Sequence, residues 1–367
     1  MVQYFLTAAP GRNRVRNIVV ACAFLLALSP ASLGRSKPKS QAPAMVPQLE
    51  LEGGRKLLYE RAFSSELEVK TKHGFWTRLL DMVVGEPDFH ALEGPYGVVS
   101  DSKDRIIVTD PAAGGIHIFD FAQHNYKFIS RKKEEDGLNT PQCVAVDASD
   151  NIYATDSESG KIFVFEPSGK FQRVIGSLKG GEGFFKRPTG IAVDSEAQRI
   201  YVTDTLRNKI FVLDMQGNVL QTIGQTGAGN GEFNFPTELR LHGDELIVVD
   251  AMNFRVQVLD RSGAFRYAIG RIGEGRGELF RAKGIGVDSE GHLYVVEGLS
   301  GLVQVFDRDG NLLYYFGQPG TGLGEFQLPT GLFIDRNDRV FVVDSYNRRV
   351  QVFHYFGLAN PAEGVRQ

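Results

Sequence analysis

Apolar and polar residues alternate in short runs along most of this chain, and clusters of Asp, Gly and Asn separate the runs. In residues 188–224, the apolar runs fall at 190–194, 200–204, 209–214 and 219–224. Alternation with a period of two, broken by turn residues, is typical of half-buried antiparallel strands joined by tight turns. This stretch therefore predicts a unit of four strands.

The four-strand unit repeats, and its clearest marker is an acidic residue that closes the second strand. These markers are Asp110, Asp156, Asp204, Asp250, Glu297 and Asp344. Successive markers are 46, 48, 46, 47 and 47 residues apart. A fixed period of this length, with four strands in each unit, indicates a β-propeller. An acid at the end of a strand commonly bonds backbone amides of a turn, so we expect the markers to belong to the framework.

The sequences PTGIAVD, IYVTDTLRNKIFVLD and GNGEFNFPT, from the third and fourth units, resemble NHL repeats. Matching first strands occur six times, over 96–101, 142–147, 190–194, 238–241, 284–288 and 331–335. The resemblance implies an all-β fold: a six-bladed β-propeller of four-stranded antiparallel blades over residues 86–356. It does not imply one function, since NHL-type propellers bind protein, RNA or carbohydrate or act as lyases.

The sixth unit provides only three strands after Pro329, and the tail that follows, residues 357–367, is short and polar. Propellers commonly complete the last blade with a strand from the other end of the chain, because this hides an exposed edge. We predict that residues 56–64 are this closing strand. Residues 75–85 are the rival, but their apolar side chains follow a helical spacing and predict a short amphipathic helix. Residues 55–85 are thus expected to hold the closing strand and a helix.

The amino-terminal residues 1–31 have the pattern of a secretory signal. Arg12, Arg14 and Arg16 precede an apolar stretch over 18–28, and Ser-Pro-Ala follows it. This pattern predicts export to a periplasmic or secreted location. Three fates stay open for the segment: cleavage after Ala31, lipidation at Cys22, or retention as a membrane tether. Residues 32–54 are polar and contain Pro and Gly, which favours a flexible tether.

Charge and cysteine content narrow the function further. The formal net charge is −3, and removing residues 1–31 with their three arginines would make it −6. A mildly acidic protein lacks the basic face that RNA-binding propellers need, so we expect no nucleic-acid partner. Only Cys143 would remain after cleavage, and we expect a buried structural thiol there. One propeller accounts for most of the chain, and we expect a monomer.

An enzyme is the alternative, because peptide-amidating lyases also use a six-bladed NHL-type propeller. Those lyases are expected to hold a metal between several inward-pointing histidines. The seven histidines of this chain fall at different positions of the repeat, and only His242 lies on or beside an inner strand. We therefore expect no metal, no cofactor and no catalytic residue of that kind.

A ligand is best placed on the face where the inner strands begin, at the mouth of the central channel. The residues at that point of the six units are Tyr96, Gln142, Thr189, Thr237, Lys283 and Thr330. Irregular positions on a regular scaffold favour recognition, so our candidate ligand-binding residues are Tyr96, Gln142, Lys283, Tyr346 and Arg348. The sequence predicts a non-catalytic binding or scaffold module for an envelope protein or glycan. The alternative is an envelope lyase or hydrolase with its active site at this mouth.

Overall fold

A computed structural model describes residues 47–70, 89–130 and 137–358 of the protein, and in these residues the alternating runs form 25 β-strands. Two strands come first in the chain, β1 (Gln48–Glu50) and β2 (Lys56–Phe63). Short 3-10 turns follow each of them, at Glu52–Gly54 and Glu66–Glu68. The predicted helix at 75–85 and the predicted signal segment 1–31 lie outside the described residues.

Five sheets of four antiparallel strands follow, each built from consecutive strands. Blade 1 contains β3 (Val98–Ser100), β4 (Ile106–Asp110), β5 (Gly115–Asp120) and β6 (Asn125–Ser130). Blade 2 contains β7 (Pro141–Val146), β8 (Ile152–Asp156), β9 (Lys161–Phe165) and β10 (Phe171–Ile175). Blade 3 contains β11 (Pro188–Asp194), β12 (Arg199–Asp204), β13 (Lys209–Asp214) and β14 (Val219–Ile223). The four strands predicted for the third unit are thus confirmed.

The next two blades have the same order. Blade 4 contains β15 (Pro236–His242), β16 (Glu245–Asp250), β17 (Arg255–Asp260) and β18 (Phe265–Ile269). Blade 5 contains β19 (Ala282–Val287), β20 (Leu293–Glu297), β21 (Leu302–Phe306) and β22 (Leu312–Phe316). Single 3-10 turns, Thr205–Arg207 and Ala251–Asn253, join the second and third strands of blades 3 and 4.

Blade 6 combines both ends of the described chain. Its first three strands are β23 (Leu332–Ile334), β24 (Arg339–Asp344) and β25 (Arg349–Phe356). Strand β2 pairs antiparallel with β25, from Lys56 opposite Phe356 to Phe63 opposite Val350. This is the pairing that the sequence predicted for residues 56–64. Strand β1 then pairs with β2 as a fifth strand, so Gln48–Glu50 is extended sheet within the segment that was predicted to be a tether.

Hydrophobic clusters fill the spaces between neighbouring blades, because the middle strands are apolar on both faces. Six such clusters occur in the described residues, one for each pair of adjacent blades. The cluster between blades 6 and 1 joins Phe63 and Val350 to Val98 and Phe119. The six blades therefore form a ring. No helix in the described part of the chain is long and apolar enough to cross a membrane.

Candidate functional site at the channel mouth

The acidic markers at the ends of the second strands hold the loops that enter each blade. Asp204 accepts hydrogen bonds from the backbone amides of Lys186 and Arg187, at 2.9 and 3.0 Å. Asp156 accepts the equivalent bonds from Asn139 and Thr140. The carboxylates are buried, and each fixes the segment just before an inner strand. This is a framework role, and it determines where the residues of the mouth lie.

Blades 4 and 6 extend this framework with the same set of side chains. In blade 6, Asp344 Oδ2 accepts hydrogen bonds from Asn347 Nδ2 (2.9 Å), Arg349 Nε (2.7 Å) and Gln351 Nε2 (3.1 Å). In blade 4, Asp250 Oδ2 accepts from Asn253, Arg255 and Gln257, the residues at the same repeat positions. A buried carboxylate that is paired in this way is stabilising only because each partner is present.

The inner strands begin at the face that collects the loops between fourth and first strands and between second and third strands; we call it the mouth face. Where the first position is threonine, its hydroxyl bonds within the protein. Thr189 Oγ1 lies 2.9 Å from Thr203 Oγ1 and 2.8 Å from Thr205 Oγ1, and Thr330 Oγ1 donates to the carbonyl of Tyr96. Thr237 differs, because its Oγ1 is buried without a hydrogen-bond partner in the described residues.

Lys283 occupies the same position in blade 5, and it has cations as neighbours. Its side chain is half-buried beside Gly298. Burial lowers the pKa of Lys283, and the charges of Arg281 and Arg187 lower it further. Within the described residues, none of these three side chains forms an ion pair. A cluster of like charges with no counter-charge is unfavourable, and an anion placed between them would relieve the repulsion.

Tyr96 and Gln142 lie at the mouth in blades 1 and 2. Tyr96 packs against the core between blades 2 and 3. Burial raises the pKa of Tyr96, and Cys143 and Glu238 add to this, whereas Arg187 opposes it. Gln142 is buried, and its backbone carbonyl accepts a hydrogen bond from Thr109 Oγ1. Arg187 is thus an electrostatic neighbour of both Tyr96 and Lys283, which connects two of the predicted residues.

Tyr346 and Arg348 lie away from the inner strands. They belong to the turn after β24 and line a shallow surface pocket of about 410 Å³ with Glu93, Gly94 and Leu328. Tyr346 is 69% exposed. The five predicted residues therefore divide into a channel-mouth group, Tyr96, Gln142 and Lys283, and a pair on the rim between blades 6 and 1.

Below the mouth, polar side chains make contacts across the channel. Cys143 Sγ donates to Glu238 Oε2 over 2.9 Å, from blade 2 to blade 4. Arg240 Nη1 lies 2.6 Å from Glu238 Oε1, and Arg240 Nη2 donates to the carbonyl of Leu332 in blade 6. Burial raises the pKa of the Cys143 thiol, and the Glu238 charge raises it further. Cys143 is therefore a protonated hydrogen-bond donor at neutral pH.

This cross-channel chain depends on a glycine in the blade between. Position 190 of blade 3 is equivalent to Cys143 and Glu238, and a Cβ there would lie 2.8 Å from the backbone nitrogen of Leu239. A side chain at Gly190 would therefore disturb the contact between blades 3 and 4. Burial also raises the pKa of Glu238, although Arg240 opposes the shift.

Sequence reasoning missed Arg187, Arg281 and the Glu238–Arg240 pair. A signal for the two arginines was present, since both stand two residues before a mouth position, where other units have Gly94, Thr140, Phe235 and Leu328. Glu238 replaces the small residue of its siblings, but its contact with Cys143 spans 95 residues and needed the ring geometry. Within the described parts of the chain, no group of three His, Cys, Asp or Glu side chains could hold a metal ion.

Comparison with known families supports the repeat. Residues 192–242 and 234–304 match a family model described as a 6-bladed beta-propeller. Residues 138–165 and 326–353 match the NHL repeat. A search among curated proteins gives no match.

Solved structures of several differently named proteins share the fold. A streptogramin B lyase is 15% identical, with a TM-score of 0.53, and the match covers 71% of this chain and 93% of that one. A gluconolactonase from Xanthomonas campestris is 16% identical, with a TM-score of 0.54, covering 83% and 91%. An auxiliary nutrient binding protein from Bacteroides thetaiotaomicron is 12% identical, with a TM-score of 0.57, covering 72% and 69%.

Identities this low show the fold and no activity. The matched segments fall in blades 2 to 6 and agree with the observed sheets. The chain is an NHL-repeat protein with the fold of a six-bladed β-propeller.

Proposed function

We propose that the protein is an exported, non-catalytic binding module of the cell envelope, which recognises a partner through the mouth face of its propeller. The group recognised at the channel mouth is an anion, such as a carboxylate or phosphate of an envelope protein or glycan. The observation that carries the proposal is the cluster of Lys283, Arg281 and Arg187, which has no counter-charge among the described residues. The charged form of a partly buried lysine with cationic neighbours is disfavoured, and a bound anion would offset this.

Three features support a ligand at this point. The Thr237 hydroxyl is buried and unpartnered at the equivalent position of blade 4. Below the mouth, the buried Cys143 and Glu238 side chains bond across the channel. The partly buried ring of Tyr96 packs nearby and has Arg187 as an electrostatic neighbour. Export is supported by the arginine-led apolar stretch over 18–28.

The test is capture of a partner from an envelope extract by the tagged protein. The double variant Arg187→Ala/Lys283→Ala should lose most of the capture, while its melting temperature stays within a few degrees of the wild type. The matched control is Lys103→Ala/Lys170→Ala, which removes two cations from turns of the opposite face. If the first variant keeps partner capture and the second loses it, the partner binds the opposite face and the proposal is wrong.

An enzyme at the same mouth is the second candidate. Two of the similar structures are a lyase and a lactonase, and burial displaces the pKa of Glu238 under the mouth. Such displacement is also produced by purely structural pairs. Metal analysis of the purified protein, with an assay for ring opening of cyclic esters, separates the two functions. Turnover that Glu238→Gln abolishes would favour the enzyme, and binding without turnover supports the module.

A further inference from the structure

Blade 5 lacks two side chains that blades 4 and 6 share. Where blade 4 has Asn253 and Arg255, and blade 6 has Asn347 and Arg349, blade 5 has Ser300 and Leu302. The glycine-rich loops beside them keep one geometry. Gly229 N donates to Glu232 Oε2 in blade 4, and Gly275 N to Glu278 Oε2 in blade 5, at 2.9 and 3.0 Å. The surroundings are therefore preserved while the arginine is missing.

The missing arginine has well-defined contacts in the sister blades. Arg255 Nη2 donates to the carbonyls of Gly229 (2.7 Å) and Glu232 (3.1 Å), and Asn253 Nδ2 donates to the carbonyl of Gly227. Arg349 makes the same two bonds in blade 6. The equivalent carbonyls in blade 5 belong to Gly273, Gly275 and Glu278. Of these three carbonyls, only the carbonyl of Glu278 accepts a hydrogen bond from a side chain of the described residues, and the donor is Gln304 Nε2.

A cavity of about 220 Å³ lies at this point of blade 5, and its lining includes Gly273, Gly275, Glu297, Ser300, Leu302 and Gln304. A leucine side chain ends at Cδ, whereas an arginine side chain continues from Cδ to the guanidinium group. Leu302 therefore replaces only the aliphatic part of the arginine and leaves the guanidinium position open. The space exceeds the roughly 30 Å³ that one water molecule takes up. The described residues that line it include three glutamates and no Lys or Arg.

Glu297 lines this cavity, at the repeat position where the sister blades have Asp250 and Asp344. It is 4% exposed and accepts hydrogen bonds from the backbone amides of Phe280 (3.2 Å) and Arg281 (3.0 Å). Within the described residues, no side chain donates to it, whereas Asp250 and Asp344 each receive three such bonds. A buried carboxylate without a cation is costly, and the cost falls when a cation enters.

We propose that this blade 5 cavity is a binding site for an external guanidinium group, which takes the place that Arg255 and Arg349 fill in the sister blades. The group would donate to Glu297 and to the carbonyls of Gly273 and Gly275, as Arg255 does to the carbonyl of Gly229, which also accepts a bond from the amide of Glu232. Its source is either a small guanidine compound or an arginine side chain of a partner. The inference is independent of the anion site at the channel mouth.

The experiment measures the melting temperature of the full chain during titration with methylguanidine in the millimolar range, with methylamine and NaCl at equal ionic strength. The wild type should show a saturable rise with methylguanidine, on the order of 2 °C. Glu297→Gln should abolish this rise. Asp244→Asn, which removes an exposed acid on the opposite face, should keep it.

Two further variants keep the test decisive. Ser300→Asn/Leu302→Arg restores the sister residues, so it should melt higher than the wild type and no longer respond. Arg349→Ala opens the same space in blade 6, and methylguanidine should recover part of its lost stability. If a short arginine peptide saturates the rise in melting temperature at a lower concentration than methylguanidine, the natural ligand is an arginine of a protein partner. If methylguanidine saturates it at the lower concentration, the natural ligand is a small guanidine compound. A wild type that does not respond while Arg349→Ala does would overturn the proposal and leave a water-filled cavity.

Discussion

Blades 5 and 6 have the same backbone plan and distribute their charges in opposite ways. Blade 6 pairs Asp344 with Arg349 inside the loop framework and begins its inner strand with Thr330. Blade 5 has an acid without a cation, Glu297, and begins its inner strand with Lys283, a cation without an acid. The comparison teaches that a repeat can keep its fold while a charge pair is taken apart. Under the two binding proposals, each of these unpaired charges interacts with an external group of opposite sign.

The largest effect is expected from the difference in how the two blades obtain their fourth strand. Blade 5 uses its own β22, whereas blade 6 uses β2, which buries Leu57 and Phe63. Deleting residues 1–66 should destabilise the protein by about 5 kcal/mol or more, or cause aggregation, because two core side chains and a paired edge are lost. Deleting residues 1–46 should leave the unfolding free energy unchanged. Equal denaturant midpoints for the two truncations would contradict the closing role of β2.

The next test compares the two acids. Asp344→Ala would leave the Arg349 guanidinium without its carboxylate, so we expect a loss of about 3–5 kcal/mol in chemical denaturation. Glu297→Gln should cost less than about 1 kcal/mol, because glutamine keeps an acceptor for one backbone amide and removes a buried charge. A similar loss for both variants would show that Glu297 is as fully paired as Asp344.

Measuring stability as a function of pH tests the same contrast, because the two kinds of acid should shift stability in opposite directions. Burial raises the pKa of Glu297, and the amides of Arg281 and Phe280 only partly oppose this. The folded state then holds the proton more tightly than the unfolded state, so stability falls as pH rises from the ordinary carboxyl range through the folded pKa. The wild type should therefore lose stability relative to Glu297→Gln over this range.

Asp110 of blade 1 provides the control of opposite sign. Burial acts against it, but His117, whose Nε2 lies 3.5 Å from Oδ2, and hydrogen bonds from the amides of Ala113 and Glu93 lower the pKa of Asp110. Its contribution is present above the ordinary carboxyl range and is lost as pH falls through the folded pKa. Asp110→Asn should therefore differ from the wild type least at acid pH. Parallel pH curves for the Asp110 and Glu297 variants would contradict the contrast.

The smallest effect is expected at the mouth. Lys283→Thr restores the residue that blades 3, 4 and 6 have there, and it removes a half-buried cation. The unfolding free energy should stay the same or rise by less than about 1 kcal/mol. Partner capture should fall in the same protein. A marked loss of stability would mean that Lys283 belongs to the framework.

Much of the fold was predictable, because it follows from local patterns. The period of the acidic markers gave six units, and the three strands after Pro329 required a closing strand from elsewhere. Strand β1 was not predictable, since three residues such as Gln48–Glu50 are too short to show alternation and pair only because β2 is already in place. The site was harder still. Lys283 stood out as irregular, but its neighbours Arg187 and Arg281 are brought near it by the ring.

The blade 5 cavity shows a different limit of sequence reasoning. Leu302 and Ser300 are visibly different from Arg349 and Asn347 when the units are aligned. An alignment does not tell whether the surroundings collapse into the space or keep it open. That outcome depends on the loop over 273–278, whose backbone is held by Glu278 and Gln304. Packing of this kind is decided in three dimensions.

The pairing of β2 with β25 has a consequence for the order in which the protein folds. Lys56 and Phe356 are neighbours in the sheet although 300 residues of chain separate them. Bringing such distant segments together is slow, because the loop entropy is lost before the contacts form. Blades 1 to 5 consist of consecutive strands and can assemble as the chain appears, but the ring cannot close until its last strand exists. Until then one edge of β2 is unpaired, so the incomplete ring exposes a strand edge on which non-native pairing can start.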